Sequence, residues 1–178
     1  MTIFDLHLLG SPVLREASAP VTVVDDETRR FIADLFETMY AAKGVGLAAN
    51  QVGVTRRIAV VDAEGDRLVL INPRIVDAAG TEAAEEGCLS VPEVFAEVTR
   101  PDRVVLEALD QDGTPYRKEL TGLAARAVQH EIDHLDGILF LDHLSLLKRK
   151  RILGKWKKEH ADDDSYIRPV KPAPAGSS

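Results

Sequence analysis

Residues 121–135 read TGLAARAVQHEIDHL, and the rest of the chain is understood from this stretch. Leu123, Ala127, Val128, Ile132 and Leu135 recur at the spacing of a helix with one buried stripe, and Thr121 stands where an N-cap belongs. On such a helix His130 and His134 lie four apart on one face, where two imidazoles can grip a single metal ion. Glu131 sits beside them without being needed as a ligand. The motif falls within a capped, apolar-striped helix rather than in a polar loop, which argues against a merely solvated face.

Two imidazoles leave a catalytic site short of a third protein ligand. The downstream histidines, His143 and His160, do not complete the extended zinc-peptidase spacing: Gly137 fits its glycine, but Phe140 occupies the place of its last histidine. Glu159 is the only glutamate after Glu131. The third ligand is therefore expected upstream, in Glu86-Gly87-Cys88-Leu89-Ser90-Val91-Pro92. There Gly87 permits close backbone approach and Cys88 offers a soft sulfur ligand. Two His and one Cys leave a fourth position for water, the arrangement of a catalytic rather than a closed structural site.

Upstream, Phe31, Ile32, Leu35, Phe36 and Met39 predict a helix from about Glu27 to Lys43, with Asp25 and Asp26 as candidate N-caps and Gly44 as its stop. The glycine-bearing segment Gly44 to Gly53 reads as a loop with close backbone approach. From Arg57 to about Leu120 the pattern is β: short apolar runs at 58–61, 68–71 and 104–106 predict strands, with turns at Glu64-Gly65-Asp66, Asn72-Pro73 and Asp110 to Gly113. Tight turns between short strands favour antiparallel pairing. A last helix is expected from Ser145 to about His160, with Leu146, Leu147, Ile152, Leu153 and Trp156 on its apolar side. The class is α+β. The division is one domain over 1–160 and a disordered tail over 161–178, where prolines and small residues have little to bury.

With 178 residues and 45% hydrophobic content, the chain fits one globular domain. No apolar run reaches the ~20 residues of a membrane helix, and no signal peptide is read at the start. Cys88 is the only cysteine, which excludes an internal disulfide and makes the reducing cytoplasm the default setting. A net charge of -7 argues against general nucleic-acid affinity, although Lys148 to Lys158 is strongly basic.

Three segments together resemble the peptide deformylase family. Gly44 to Gln51 reads as Gly-x-Gly-x-Ala-Ala-x-Gln, Glu86 to Ser90 as Glu-Gly-Cys-Leu-Ser, and Gln129 to His134 as Gln-His-Glu-x-Asp-His, in that order. The opening Gly10 to Arg15 is similar to the family's N-terminal segment, so the resemblance spans residues 3 to 160. It implies antiparallel sheets packed around the central helix that bears the two histidines, followed by a C-terminal helix. It also implies hydrolysis of the N-formyl group of formylmethionine on newly made proteins, with release of formate. The metal ligands would be Cys88, His130 and His134, holding Fe2+, with Zn2+, Ni2+ or Co2+ as substitutes. Metal-activated water would attack, Glu131 would be the general acid/base, and Gln51 with the Leu89 N–H would stabilise the oxyanion.

Val45, Gly46 and Leu89 fall where the family binds substrate, and Ala127 is expected in the methionine pocket. Phe95 stands where some deformylases carry arginine, and Arg100 is a second candidate for the mouth of the site. The basic last helix suggests docking on the ribosome. Two rivals remain: a metallopeptidase using the same histidine face, which Cys88 argues against, and an inactive metal-binding relative, which the presence of Glu131 and Gln51 argues against.

Overall fold

The computed structural model describes residues 2–163 and 166–172. Its chain opens with β1 (Leu6–His7), a 3-10 turn at Pro12–Arg15 and α1 (Asp26–Ala41). There follow β2 (Gly46–Ala48), a 3-10 turn at Ala49–Val52, β3 (Ile58–Ala63), β4 (Asp66–Ala79), β5 (Glu82–Cys88), β6 (Val91–Arg100), β7 (Arg103–Leu109) and β8 (Pro115–Thr121). The chain continues through α2 (Gly122–Leu135), a 3-10 turn at Phe140–His143, α3 (Leu146–Glu159) and β9 (Ile167–Arg168). The main sheet has the order β2-β3-β4-β7-β8, β5 and β6 form a separate hairpin, and β1 pairs with β9. Each of these strand pairs is antiparallel, and the fold is α+β as expected.

The unbroken apolar run of β3 has a direct cause. Successive side chains on a strand point to opposite faces, so a strand covered on both sides must be apolar throughout. Ile58 and Val60 pack in one core with Ile32, Leu35, Phe36 and Met39 of α1. Ala59 and Val61 pack in the other with Ala124, Ala125, Val128 and Leu135 of α2. The sheet therefore lies between the two helices.

Several expectations are corrected in detail. Of the two candidate caps, Asp25 receives the Thr28 N–H at 2.9 Å, while Asp26 is the first helical residue. Lys43, with φ 60°, takes the left-handed turn after α1 that Gly44 was expected to supply. Gly44 is small for another reason: a Cβ there would stand 2.6 Å from Leu89 Cδ1. The segment expected as a loop contains a strand, since Gly46 to Ala48 pairs with Ala59 to Val61. Asn72-Pro73 is a bulge inside β4 rather than a turn, because Pro73 has no N–H for the ladder and the register shifts between Ile71 and Arg74. The Asn72 amide instead bonds both backbone groups of Val21, at 2.8 and 2.9 Å.

Thr121 holds the N-cap position of α2, but its side chain makes no capping bond. The helix buries Ala124, Ala125, Ala127, Val128 and Leu135, while Leu123 is exposed and Ile132 half-buried. On α3, Ser145 caps Lys148 N–H, yet Leu146 and Leu147 are 58% and 70% exposed. Trp156 alone is fully inside, donating its indole N–H to the Leu9 carbonyl at 3.0 Å and stacking on His160 with centroids 3.7 Å apart.

The tail expected to be disordered from 161 is ordered over 166–172. Leu6 pairs with Arg168 and His7 with Ile167, and Leu8 N–H donates to the Tyr166 carbonyl at 2.7 Å. An unpaired strand edge needs only backbone partners, so a segment with little to bury can still be held there. Residues 164–165 and 173–178 of that tail lie outside the described residues. Among the described residues no helix is long and apolar enough to cross a membrane.

Candidate metal centre

Cys88 closes β5, and Leu89 and Ser90 form the two-residue turn that leads into β6, where Val91 pairs back with Cys88. This hairpin carries Cys88 to the two histidines of α2. Cys88 Sγ is 3.2 Å from His134 Nε2, which is 3.1 Å from His130 Nε2. The three ligand atoms lie within 4.8 Å of one another. The convergence of two nitrogens and a sulfur in a mostly buried place is what a single cation needs. The donor set suits iron, zinc, nickel or cobalt better than magnesium or calcium, which prefer oxygen.

His130 is aimed by its surroundings. His130 Nδ1 lies 2.9 Å from Glu86 Oε1, and that contact turns its Nε2 toward the centre. Glu86 is buried and held by Arg100 at 2.6 and 3.0 Å and by Arg126 at 2.6 Å. Burial raises the Glu86 carboxyl, but the bonds from His130 and Arg100 outweigh it and bring it down to about 2. Burial likewise works against a charge on His130, yet Cys88 and Glu86 together pull its pKa well above the ordinary value. Burial and the neighbouring His130 hold His134 neutral.

Around this centre stand the other candidates. Glu131 is 2% exposed, its Oε1 has no hydrogen-bond partner among the described residues, and burial pushes its carboxyl up to about 7. A Cβ on Gly46 would stand 2.7 Å from Glu131 Oε2, so only glycine lets β2 pass so close. Gln51 is fixed by Ala48 N–H on its Oε1 at 2.9 Å, and its Nε2 donates to Ser90 Oγ at 3.0 Å, 3.7 Å from Cys88 Sγ. A cleft of about 660 Å³ is bordered by Val45, Gly46, Gln51, Cys88, Leu89, Ala127, His130 and Glu131. Val45 and Phe95 on its border are exposed.

Arg100 is the candidate that the structure does not bring to the cleft. It is 4% exposed, drawn inward by Glu86 and by Asp133 at 2.9 Å, and so has no free face for a substrate. Sequence reasoning left the supporting residues unassigned. Glu86 and Ser90 stood within the quoted Glu-Gly-Cys-Leu-Ser segment without roles. Arg126 could have been noticed as a cation inside the alanine stripe of α2, since a buried guanidinium needs a carboxylate. It bonds Glu86, Val98 O and Glu82 O, tying α2 to the hairpin. Asn50, whose amide donates to the His134 carbonyl, had no sequence signal.

The chain matches the family model described as Polypeptide deformylase over residues 3–150. It is 53% identical over 162 residues to a peptide deformylase of Alkalilimnicola ehrlichii, covering 89% of this chain and 91% of that one. To a peptide deformylase of Chromohalobacter salexigens it is 54% identical over 151 residues, 83% and 89% of the two chains. The crystal structure of the Ehrlichia chaffeensis peptide deformylase in complex with actinonin superposes with a TM-score of 0.85 at 40% identity, over 89% of this chain and 98% of that one.

Proposed function

The chain belongs to the polypeptide deformylase family, and from that premise we propose that it hydrolyses the N-formyl group from the formylmethionine of newly made proteins, releasing formate. The observation that carries this reading is the convergence of Cys88, His130 and His134 beside a buried Glu131. Those three residues would hold one divalent metal ion, iron(II) natively, with zinc, nickel or cobalt able to substitute. When bound, such an ion supplies Lewis acidity and brings the ionisation of water toward neutral pH.

Glu131, with a carboxyl near 7, changes protonation at working pH, so it can take a proton from the attacking water and hand it to the leaving amine. Gln51, anchored by its carbonyl oxygen, keeps its N–H group toward the centre and with the Leu89 N–H receives the developing oxyanion. Losing one such donor costs on the order of 10²-fold to 10³-fold in rate. β2 is an edge strand of the main sheet, and its Gly46 borders the cleft, so an extended peptide can add to it as a further strand. Leu89, Val45 and Ala127 line the place for the methionine side chain. A hydrogen on the formyl carbon leaves less bulk than an ordinary acyl chain, which favours formyl groups over internal amides.

The test is formate release from N-formyl-Met-Ala-Ser by anaerobically purified, iron-loaded protein, beside Glu131→Ala with metal content measured in both. Turnover by the parent that falls at least 10²-fold in a variant still holding metal supports the reading. No turnover by a folded, metallated parent sinks it.

A ribosomal partner is proposed from α3. Lys148, Lys150, Arg151, Lys155, Lys157 and Lys158 are all exposed, and phosphate backbones attract such a surface by charge alone. The same setting, the cytoplasm, supplies the substrate. Reversing Lys150, Arg151 and Lys157 to glutamate should abolish salt-sensitive cosedimentation with ribosomes while leaving the buried Trp156 in place. Unchanged cosedimentation would reject the docking.

A further inference from the structure

The match to the family model ends at residue 150, and the cleft has a border beyond it: Arg168, Pro169, Val170 and Lys171 line the same space as Gly46, Leu89 and Glu131. This strap is built into the fold. Its β9 pairs with β1, whose Leu6 also borders the cleft. The Tyr166 ring lies against Gly10 so closely that a Cβ there would stand 2.9 Å from it, and Val170 packs against the main core. Arg168 and Lys171 are exposed, and among the described residues neither is ion-paired. Lys43, just past α1, is a third cation on the border, exposed and likewise unpaired among the described residues. The exposed carboxylates on the border, Glu85 and Glu93, belong to the β5–β6 hairpin. The strap therefore presents only positive charge to whatever lies in the cleft.

An extended peptide turns alternate side chains to opposite sides, so residues after the first can meet the strap while others meet the hairpin. We propose that the strap is a specificity element of the deformylase reaction, with Arg168 and Lys171 selecting substrates that carry an acidic side chain at the second or third residue. This rests on the deformylase reading, and the experiment separates the two.

Iron-loaded parent and the Arg168→Glu/Lys171→Glu double variant are assayed, kcat and KM separately, on N-formyl-Met-Asp-Ser, N-formyl-Met-Ala-Asp and their lysine counterparts. The deformylated peptides are titrated calorimetrically into both proteins. Since both side chains are exposed, the melting temperature of the variant should match that of the parent. The parent is expected to prefer the better acidic peptide over its lysine counterpart by roughly threefold to tenfold in kcat/KM, carried by KM and shrinking in high salt. The preference should vanish or reverse in the variant. Equal acid-to-lysine ratios in parent and variant overturn the proposal. A parent inactive on every formyl peptide sinks the deformylase reading instead, and the calorimetry then decides the strap: charge-dependent binding lost in the variant supports it, and identical binding overturns it.

Discussion

α2 and α3 are both 14 residues long and both read as amphipathic, but they are held in different ways. α2 lies on the sheet through alanines small enough to let the backbone come close, and Arg126 ties it to the hairpin that carries Cys88. α3 rests on one fully buried side chain, Trp156, while the leucines that open its apolar pattern face solvent. Helical periodicity says which residues share a face. It does not say whether the fold has a surface left to cover that face.

The comparison can be broken most severely at Trp156. Trp156→Ala should cost about 3–5 kcal/mol in urea unfolding, because Trp156 is the one fully buried side chain of α3, with Ile152 and Leu153 only partly buried against the same core. A loss below about 1 kcal/mol would mean the helix has other holds. Leu135→Ala, at the core end of α2, should cost about 2–5 kcal/mol, with alanine neighbours unable to collapse into the space. A cost smaller than that of Trp156→Ala would sharpen the contrast between a broad hold and a single one.

The link between the two helices gives a smaller, pH-dependent effect. Arg15 grips Asp142 through two bonds, at 2.6 and 3.2 Å, on a partly exposed surface, so Arg15→Ala should cost about 0.2–1 kcal/mol near pH 6. Burial raises the Asp142 carboxyl, but Arg15 and the Leu139 N–H outweigh it and lower its pKa below 3.8. A carboxylate lowered in the folded state stabilises above its unfolded value, and that contribution is lost as pH falls through the folded value. The gap between parent and variant should therefore close below about pH 3.8, and a gap that widened there would contradict the ion pair. Leu147→Ala should be the smallest change, within about 0.5 kcal/mol, as for an exposed side chain. A loss above 1 kcal/mol would show that Leu147 is covered in solution.

The legible parts of this chain were those where one physical demand wrote the sequence. The apolar run of β3 and the His-Glu-x-x-His face of α2 have single causes, burial on both sides and the four-residue repeat of a helix. The β5–β6 hairpin was legible only as part of a β region and not as strands of its own, because Glu82, Glu85 and Glu97 face solvent and leave little alternation to read. The network of Glu86, Arg100, Arg126 and Asp133 was hidden for a similar reason: its residues are far apart in sequence and of types that are usually surface decoration. Arg100 was expected at the mouth of the cleft because an arginine near a site looks available. Only the partners it finds in three dimensions, two carboxylates, decide otherwise.

The anchor of α3 is also an optical instrument. The chain has one tryptophan, so its intrinsic emission at long excitation wavelength comes from Trp156 alone. That indole is buried, bonded to the Leu9 carbonyl and stacked on the His160 ring. Undocking of the last helix should shift the emission to the red as water reaches the indole, whereas events confined to the metal centre should leave its colour unchanged. The protein thus carries a label-free reporter that distinguishes loosening of its periphery from changes at its reactive centre.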